Sequence, residues 1–160
     1  MAMTAVETFA GFDNPVRIIA SDLDTTVLES ARLGRYKLES VANMAAQKID
    51  KFFVRGTGED AGFVMARAEL QKMIIFRRIN LLDASWPIRE KLDVIFCRNV
   101  MIYFDKATQL EVLKKFAPLL RADGLLFAGH SESFHHADTY FKLRSHTVYE
   151  LADKLKVGRA

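Results

Sequence analysis

Polar side chains gather where the apolar runs of this chain stop. Asp22 follows VRIIAS, Asn80 follows MIIFRRI, Arg98 and Asn99 follow LDVIFC, and the HSES stretch from His130 to Ser133 follows LLFAG. If the runs are strands of one sheet, these residues form its ligand rim, because α/β sheets bind beyond the carboxyl ends of their strands. A carboxylate there accepts both hydroxyl protons of a ribose diol, which makes Asp22 a candidate ribose ligand. Asn80 and Asn99 have the donors and acceptors for an adenine edge or another small polar ligand. A plainer reading stands beside each: Asp22 or Asp24 as a helix cap, the asparagines as turn residues. Other chemistries find no support. His130, His135, His136 and His146 lack Cys or acid partners at metal-ligand spacing, which argues against zinc. Ser131 and Ser133 sit in no Gly-x-Ser-x-Gly elbow and no G-x-x-x-x-G-K loop occurs, which argues against hydrolase and kinase readings.

The elements that must position these residues are legible in the periodicity. Val16–Ala20 reads as a buried strand after the Asn14-Pro15 turn. Asp24 and Thr25 offer caps for a helix through Val27, Leu28, Ala31 and Arg32, stopped by Gly34. Met73–Phe76 and Leu92–Cys97 read as further strands. Asp105 opens a helix with Leu110, Leu113, Phe116, Ala117 and Leu120 on one face and Glu111, Lys114 and Lys115 on the other. Ala122-Asp123-Gly124 then turns the chain into Leu125–Ala128. Tyr140–Leu151 reads as a closing antiparallel hairpin across Arg144–His146 at a sheet edge. Strands alternating with helices predict an α/β fold on a mostly parallel sheet. Between them, Leu38, Val41, Met44, Ala45 and Ile49 predict one or two short helices. The runs FFV and FVMAR around RGTGEDAG then predict a small inserted hairpin whose loop is either a functional loop or a plain connector.

The composition bounds the answer. One hundred and sixty residues, half of them apolar and 27% charged, predict a single globular domain. No apolar run approaches the roughly 18 residues of a spanning helix. The start, MAMTAVETFA with Glu7, does not read as a secretory leader, and the lone Cys97 can staple nothing within its own chain. Together these predict a cytoplasmic protein with no direct membrane insertion. Twenty-three basic against twenty acidic residues, interspersed, give +3 and no argument for a nucleic-acid partner. The basic tail DKLKVGRA reads as a frayed terminus.

Four longer stretches carry a resemblance: IIASDLDTTVLESARLGRY (Ile18–Tyr36), RRINLL (Arg77–Leu82), LDVIFCRNVMIYFDKATQ (Leu92–Gln109) and LLRADGLLFAGHSESF (Leu119–Phe134). Together they are similar to the chemotaxis receptor methyltransferase (CheR) family over nearly the whole chain. The resemblance implies the Rossmann-like sheet of class I S-adenosylmethionine-dependent methyltransferases, seven-stranded with its last strand antiparallel. It implies methyl transfer to glutamate side chains of chemoreceptors, giving glutamate methyl esters and S-adenosylhomocysteine. Asp22, Asn80 with Leu81, and Arg98 with Asn99 resemble the family's cofactor-contacting positions. Tyr103, four residues past Asn99, is a candidate for the methyl-transfer channel or a rim aromatic that packs the next helix.

The segment over about residues 50–72 is similar to the small β subdomain with which some relatives hold the receptor's C-terminal pentapeptide as an added strand. Arg55 and Arg67 then face an acidic, carboxylate-ended peptide, with Gly56, Gly58 and Gly62 letting backbones approach. Relatives that bind the tail tend to carry another arginine close to Met65, which this chain lacks. The resemblance also departs at the front. The family places a helical receptor-binding domain, a central first strand and a Gly-rich turn with a GEEPYS-like motif ahead of the helix seen here as Met1–Phe9. The expectation from that departure is an N-terminally truncated, catalytically incomplete fragment that binds cofactor poorly and does not turn over. A non-catalytic module binding the receptor tail, or a generic nucleotide-binding α/β protein, are the rival readings.

Overall fold

The computed structural model describes residues 1–156, and the last four residues of the basic tail, 157–160, lie outside them. The chain forms two compact units, one from Met1 to Asn80 and the other from Leu81 onward.

In the first unit, helix α1 (Ala2–Thr8) buries Ala2 and Val6, one turn apart. Phe9, read from the sequence as the end of this helix, is its C-cap and is 52% exposed. Strand β1 (Ile18–Asp22) begins two residues later than the β-branched run predicts. Asn14 Oδ1 accepts from the Val16 N–H while its amide donates to the Gly11 and Phe12 carbonyls, and Arg17 curls back to the Asn14 carbonyl. These local bonds hold the segment off the ladder until Ile18. Helix α2 (Thr25–Leu33) starts at Asp24, whose Oδ1 accepts from the Thr26 and Val27 N–H groups, and ends at Gly34 with φ 60°. That left-handed stop is where the sequence expects it, and only a residue without Cβ adopts it cheaply.

Strand β2 (Arg35–Lys37) follows, then a 3-10 turn at Leu38–Val41 and helix α3 (Ala46–Phe52). Strands β3 (Phe53–Arg55) and β4 (Phe63–Ala66) are the two arms of the Gly-rich hairpin. They join β2 in an antiparallel sheet of order β2-β4-β3. The sequence reading missed β2, because three residues after a helix stop carry too little period to register. Helix α4 (Ala68–Gln71) leads into β5 (Ile74–Arg78), parallel to β1 from Ile18↔Ile74 to Asp22↔Arg78. Val6, Val41, Ile49, Phe52, Phe53, Val64, Leu70 and Met73 make this unit's core.

The second unit holds β6 (Leu92–Cys97), helix α5 (Lys106–Phe116), β7 (Leu120–Ala128), β8 (Phe141–Ser145), β9 (Val148–Leu151) and a final turn of helix, α6 (Asp153–Lys156). Its sheet has the order β6-β7-β9-β8, with β6 and β7 parallel and β9 antiparallel to both neighbours. The last strand is therefore antiparallel and interior, with β8 at the edge. Ala122-Asp123-Gly124 does not precede the strand as a free turn. It bulges within β7, where pairing jumps from Leu92↔Leu120 to Val94↔Leu125. Gly124 makes room for this, since a Cβ there lies 3.1 Å from the Asp93 carbonyl oxygen. Helix α5 is capped by Asp105, which accepts from the Thr108 N–H at 2.8 Å, and that bond holds its carboxyl below the usual range. Val112, Leu113 and Phe116 of α5 pack against Leu126, Phe134, Phe141, Tyr149 and Leu151. Lys115, expected on the outward face, instead donates to the Leu81 and Asp83 carbonyls at 2.6 Å each and lies over the Trp86 ring.

Candidate functional site

Each unit presents one polar rim at its strand ends. In the first, Asp22 closes β1 and is exposed. Its Oδ1 accepts from the Asp24 N–H at 2.9 Å, and its carbonyl accepts from Ile79 N–H at 3.0 Å, carrying the β1–β5 ladder to the residue before Asn80. Asn80 is half-buried at that end. The two sequence readings of the acids thus divide: Asp24 is the helix cap, and Asp22 braces the turn ahead of it with its side chain at the surface. Arg78 Nε donates to the Leu23 carbonyl and pins the same turn.

In the second unit Arg98 and Asn99 leave β6 together, both exposed. Asn99 has φ 60°, a left-handed conformation that asparagine tolerates better than most side chains. Arg98 Nη2 lies 3.2 Å from His130 Nδ1. The residue that organises this rim is one the sequence reading left as part of a polar stretch. Glu132 is 7% exposed, and its carboxylate accepts from four main-chain N–H groups: Asn99 at 3.1 Å, Val100 at 3.0 Å, Met101 at 2.8 Å and Gly129 at 2.5 Å. A buried charge is tolerated only when so satisfied. The signal available in sequence was a glycine three residues before a glutamate directly after a buried strand, which alone specifies no partner. Gly129 is required, since a Cβ there lies 2.7 Å from both Asn99 Oδ1 and Glu132 Oε2. From below, buried Gln109 donates to the Met101 and Phe104 carbonyls at 2.8 and 3.0 Å. Cys97, beneath the same turn, has its thiol pushed up to about 12 by burial, with the Glu132 carboxylate adding to the rise.

The remaining candidates separate. Leu81 is no rim side chain here: it is partly buried against the core of the second unit, and its carbonyl is held by Lys115. Tyr103 ends a 3-10 turn and is 80% exposed, so it does not pack the following helix. In the Gly-rich hairpin Arg55 lies 3.8 Å from Asp50 Oδ1, and Arg67 donates to the Asp50 carbonyl at 3.0 Å. Both arginines therefore gather on one residue of α3. Gly56 permits a close approach, but to its own loop: a Cβ there lies 2.2 Å from the Asp60 carbonyl oxygen. Gly58 and Gly62 have φ 60° and 93° with open space around them, so their demand is conformational. Arg35, missed in the sequence, donates to Asp60 Oδ1 at 2.8 Å through Nη2 and stacks over the Phe63 ring at 3.3 Å. Among the described residues no three His, Cys, Asp or Glu side chains gather to hold a metal, and no helix is long and apolar enough to cross a membrane.

Taken unit by unit, the first rim presents a surface carboxylate at Asp22 and a half-buried asparagine at Asn80, and the second presents Arg98 and Asn99 on a turn fixed by main-chain bonds to Glu132. The family model "CheR methyltransferase, SAM binding domain" matches residues 1–150. Chemotaxis protein methyltransferase 2 of Pseudomonas aeruginosa is 51% identical over 152 residues, covering 95% of this chain and 54% of that protein. The chemotaxis protein methyltransferase of Escherichia coli is 47% identical over 152 residues, covering 95% and 53%. That of Salmonella typhimurium is 48% identical over 136 residues, covering 85% and 47%. The chain spans about half the length of the curated relatives it matches.

Proposed function

Because the chain belongs to the CheR methyltransferase family, as its S-adenosylmethionine-binding domain, we propose that it takes part in S-adenosylmethionine-dependent methylation of glutamate side chains on chemotaxis receptors, in the cytoplasm. The observation that carries this reading is the rim at Arg98–Asn99, built and clamped by main-chain bonds to Glu132.

When bound, the cofactor supplies a methyl group already activated on a sulfonium. A receptor glutamate is ionised near neutral pH, so its oxygen is a nucleophile without a general base. The chain's own work is to bind, orient and exclude water. Asp22 would accept ribose hydroxyl hydrogen bonds through the oxygen that the Asp24 N–H leaves open. Asn80 in the first unit and Asn99 in the second would each offer an amide to a polar edge of the cofactor, Arg98 frames its rim beside His130, and the exposed Tyr103 ring would flank the receptor side. Leu81 contributes through its backbone, held by Lys115, and by packing.

The experiment is a titration of the 15N-labelled chain with S-adenosylhomocysteine to millimolar concentration, followed by incubation with tritiated S-adenosylmethionine and a receptor cytoplasmic fragment. Shifts at the amides of Asp22, Asn80 and Asn99, and label released as methanol by mild base, are expected. An absence of shifts at saturating ligand refutes the cofactor reading, and base-stable label refutes the ester.

A second reading, tail binding without catalysis, is favoured by one specific observation. The sheet β2-β4-β3 has β3 at its edge, ending in exposed Arg55. An extended acidic peptide adds to such an edge by main-chain bonds, its carboxylates set against arginine.

A further inference from the structure

We propose that Glu132 is the positioning residue for Arg98 and Asn99, setting the turn that presents them to ligand; the proposal rests on the cofactor reading above. Successive N–H groups at Asn99, Val100 and Met101 converge on one point, with Asn99 in the left-handed conformation. Such a concavity of amides is an anion site in its own right. Here the anion is internal. Glu132 Oε1 takes Val100 and Met101, Oε2 takes Asn99 and Gly129, and the Glu132 N–H returns to the Gly129 carbonyl at 3.1 Å.

The loop after β7 therefore closes on itself and grips the turn after β6. Gln109 holds the same turn by its carbonyls at Met101 and Phe104. With N–H groups bound on one side and carbonyls on the other, the turn has little freedom left. The unfavourable backbone of Asn99 is held in place by these bonds, and the side chains of Arg98 and Asn99 leave it in a fixed direction. Both Glu132 oxygens are committed to the main chain, so its carboxylate acts through the turn.

The charge and the two-oxygen geometry are both needed. Glutamine keeps the shape but offers a single acceptor oxygen, and its NH2 then faces two N–H donors. Aspartate keeps the charge but is one methylene too short to reach all four amides.

The test uses 15N-labelled wild type, Glu132→Gln, Glu132→Asp and Val112→Ala. Val112 is fully buried on α5, and its side chain makes none of the hydrogen bonds that hold the rim. Each is titrated with S-adenosylhomocysteine, its amide exchange recorded, and its urea midpoint measured. Glu132→Gln is expected to bind at least tenfold more weakly and to lose amide protection at Asn99, Val100, Met101 and Gly129. Glu132→Asp is expected to fall between it and wild type, and serves if the glutamine variant does not fold. Val112→Ala is expected to lower the urea midpoint while holding affinity within twofold.

Binding by Glu132→Gln within twofold of wild type overturns the proposal and leaves the cofactor reading standing. Equal loss in Val112→Ala also overturns it, by reducing Glu132 to general stability. No binding by wild type refutes the cofactor reading and, with it, the role proposed for Glu132, while protection of the four amides still reports whether the clamp exists.

Discussion

Adding one methyl group at position 129 tests the Glu132 clamp without touching its chemistry. A Cβ on residue 129 lies 2.7 Å from Asn99 Oδ1, 2.7 Å from Glu132 Oε2 and 3.1 Å from the Asn99 nitrogen. Carbon–oxygen contacts open to about 3.3 Å or more, so Gly129→Ala displaces the carboxylate oxygen by roughly half an ångström. That oxygen accepts from Asn99 and Gly129. Hydrogen bonds to a charged group contribute about 1.5–3 kcal/mol each, so weakening two of them costs about 2–4 kcal/mol. Alanine also restricts the unfolded chain, which returns only about 0.4–1 kcal/mol. The steric loss wins, and a net destabilisation of about 2 kcal/mol is expected. Gly129 is not among the residues of positive φ, so backbone strain adds nothing to this figure. Urea unfolding followed by fluorescence of the single tryptophan, Trp86, reads it, because Trp86 packs on Phe116 in the same unit, 5.2 Å between ring centroids. With m values of about 1–3 kcal/mol per molar, the midpoint falls by about 1 M. Gly129→Ala and Glu132→Gln break the same clamp, so the double variant is expected to lose less than the sum. An unchanged midpoint, or strict additivity, refutes the account of how this rim is held.

Asp22→Asn keeps an oxygen for the Asp24 N–H. It is expected to leave the urea midpoint unchanged while weakening S-adenosylhomocysteine binding about tenfold, one good charge-assisted contact by the usual arithmetic; unchanged affinity removes Asp22 from the ligand set. Cys97, with its thiol raised from 9.0 to about 12, is expected to resist a thiol-specific chromophoric disulfide at pH 8 until urea unfolds the chain. The folded form holds this proton more tightly than the unfolded form, so the contribution to stability is complete below about pH 9 and is lost as pH climbs from there towards 12; rapid labelling of the native protein at pH 8 contradicts both statements. Arg55→Glu is expected to abolish capture of an acidic, carboxylate-ended pentapeptide, measured by fluorescence anisotropy. Its 3.8 Å exposed pair with Asp50 contributes at most about 1 kcal/mol, so folding is expected to be intact; undiminished capture removes the second reading of the hairpin.

Much of this was legible from local rules, and the exceptions have local causes. The caps at Asp24 and Asp105 were readable because each depends on a side chain bonding within three residues, and the stop at Gly34 because a left-handed backbone there favours a residue without Cβ. Strand β1 was misplaced by two residues because β-branching marks Val16 as extended but does not reveal that Asn14 and Arg17 satisfy its neighbours locally. Strand β2 was invisible at three residues. Glu132 was missed because three of its four partners lie 31 to 33 positions back along the chain, and no periodicity encodes a carboxylate folding back on another strand's exit. Arg35 was missed for the same reason, its acid lying 25 positions away. Leu81 shows the converse: a residue named by resemblance whose side chain the fold uses for packing and whose carbonyl it uses as an anchor.

Because the Glu132 carboxylate grips peptide groups alone at positions 99, 100 and 101, its hold on the loop does not run through the outward side chains of Val100 and Ile102. Val100 and Ile102, both well exposed, are free to be exchanged for polar, bulky or charged residues with the underlying geometry intact. The exit of β6 is thus a rigid mount with replaceable fittings, a place where recognition can be retuned by substitution while the scaffold beneath it stays as it is.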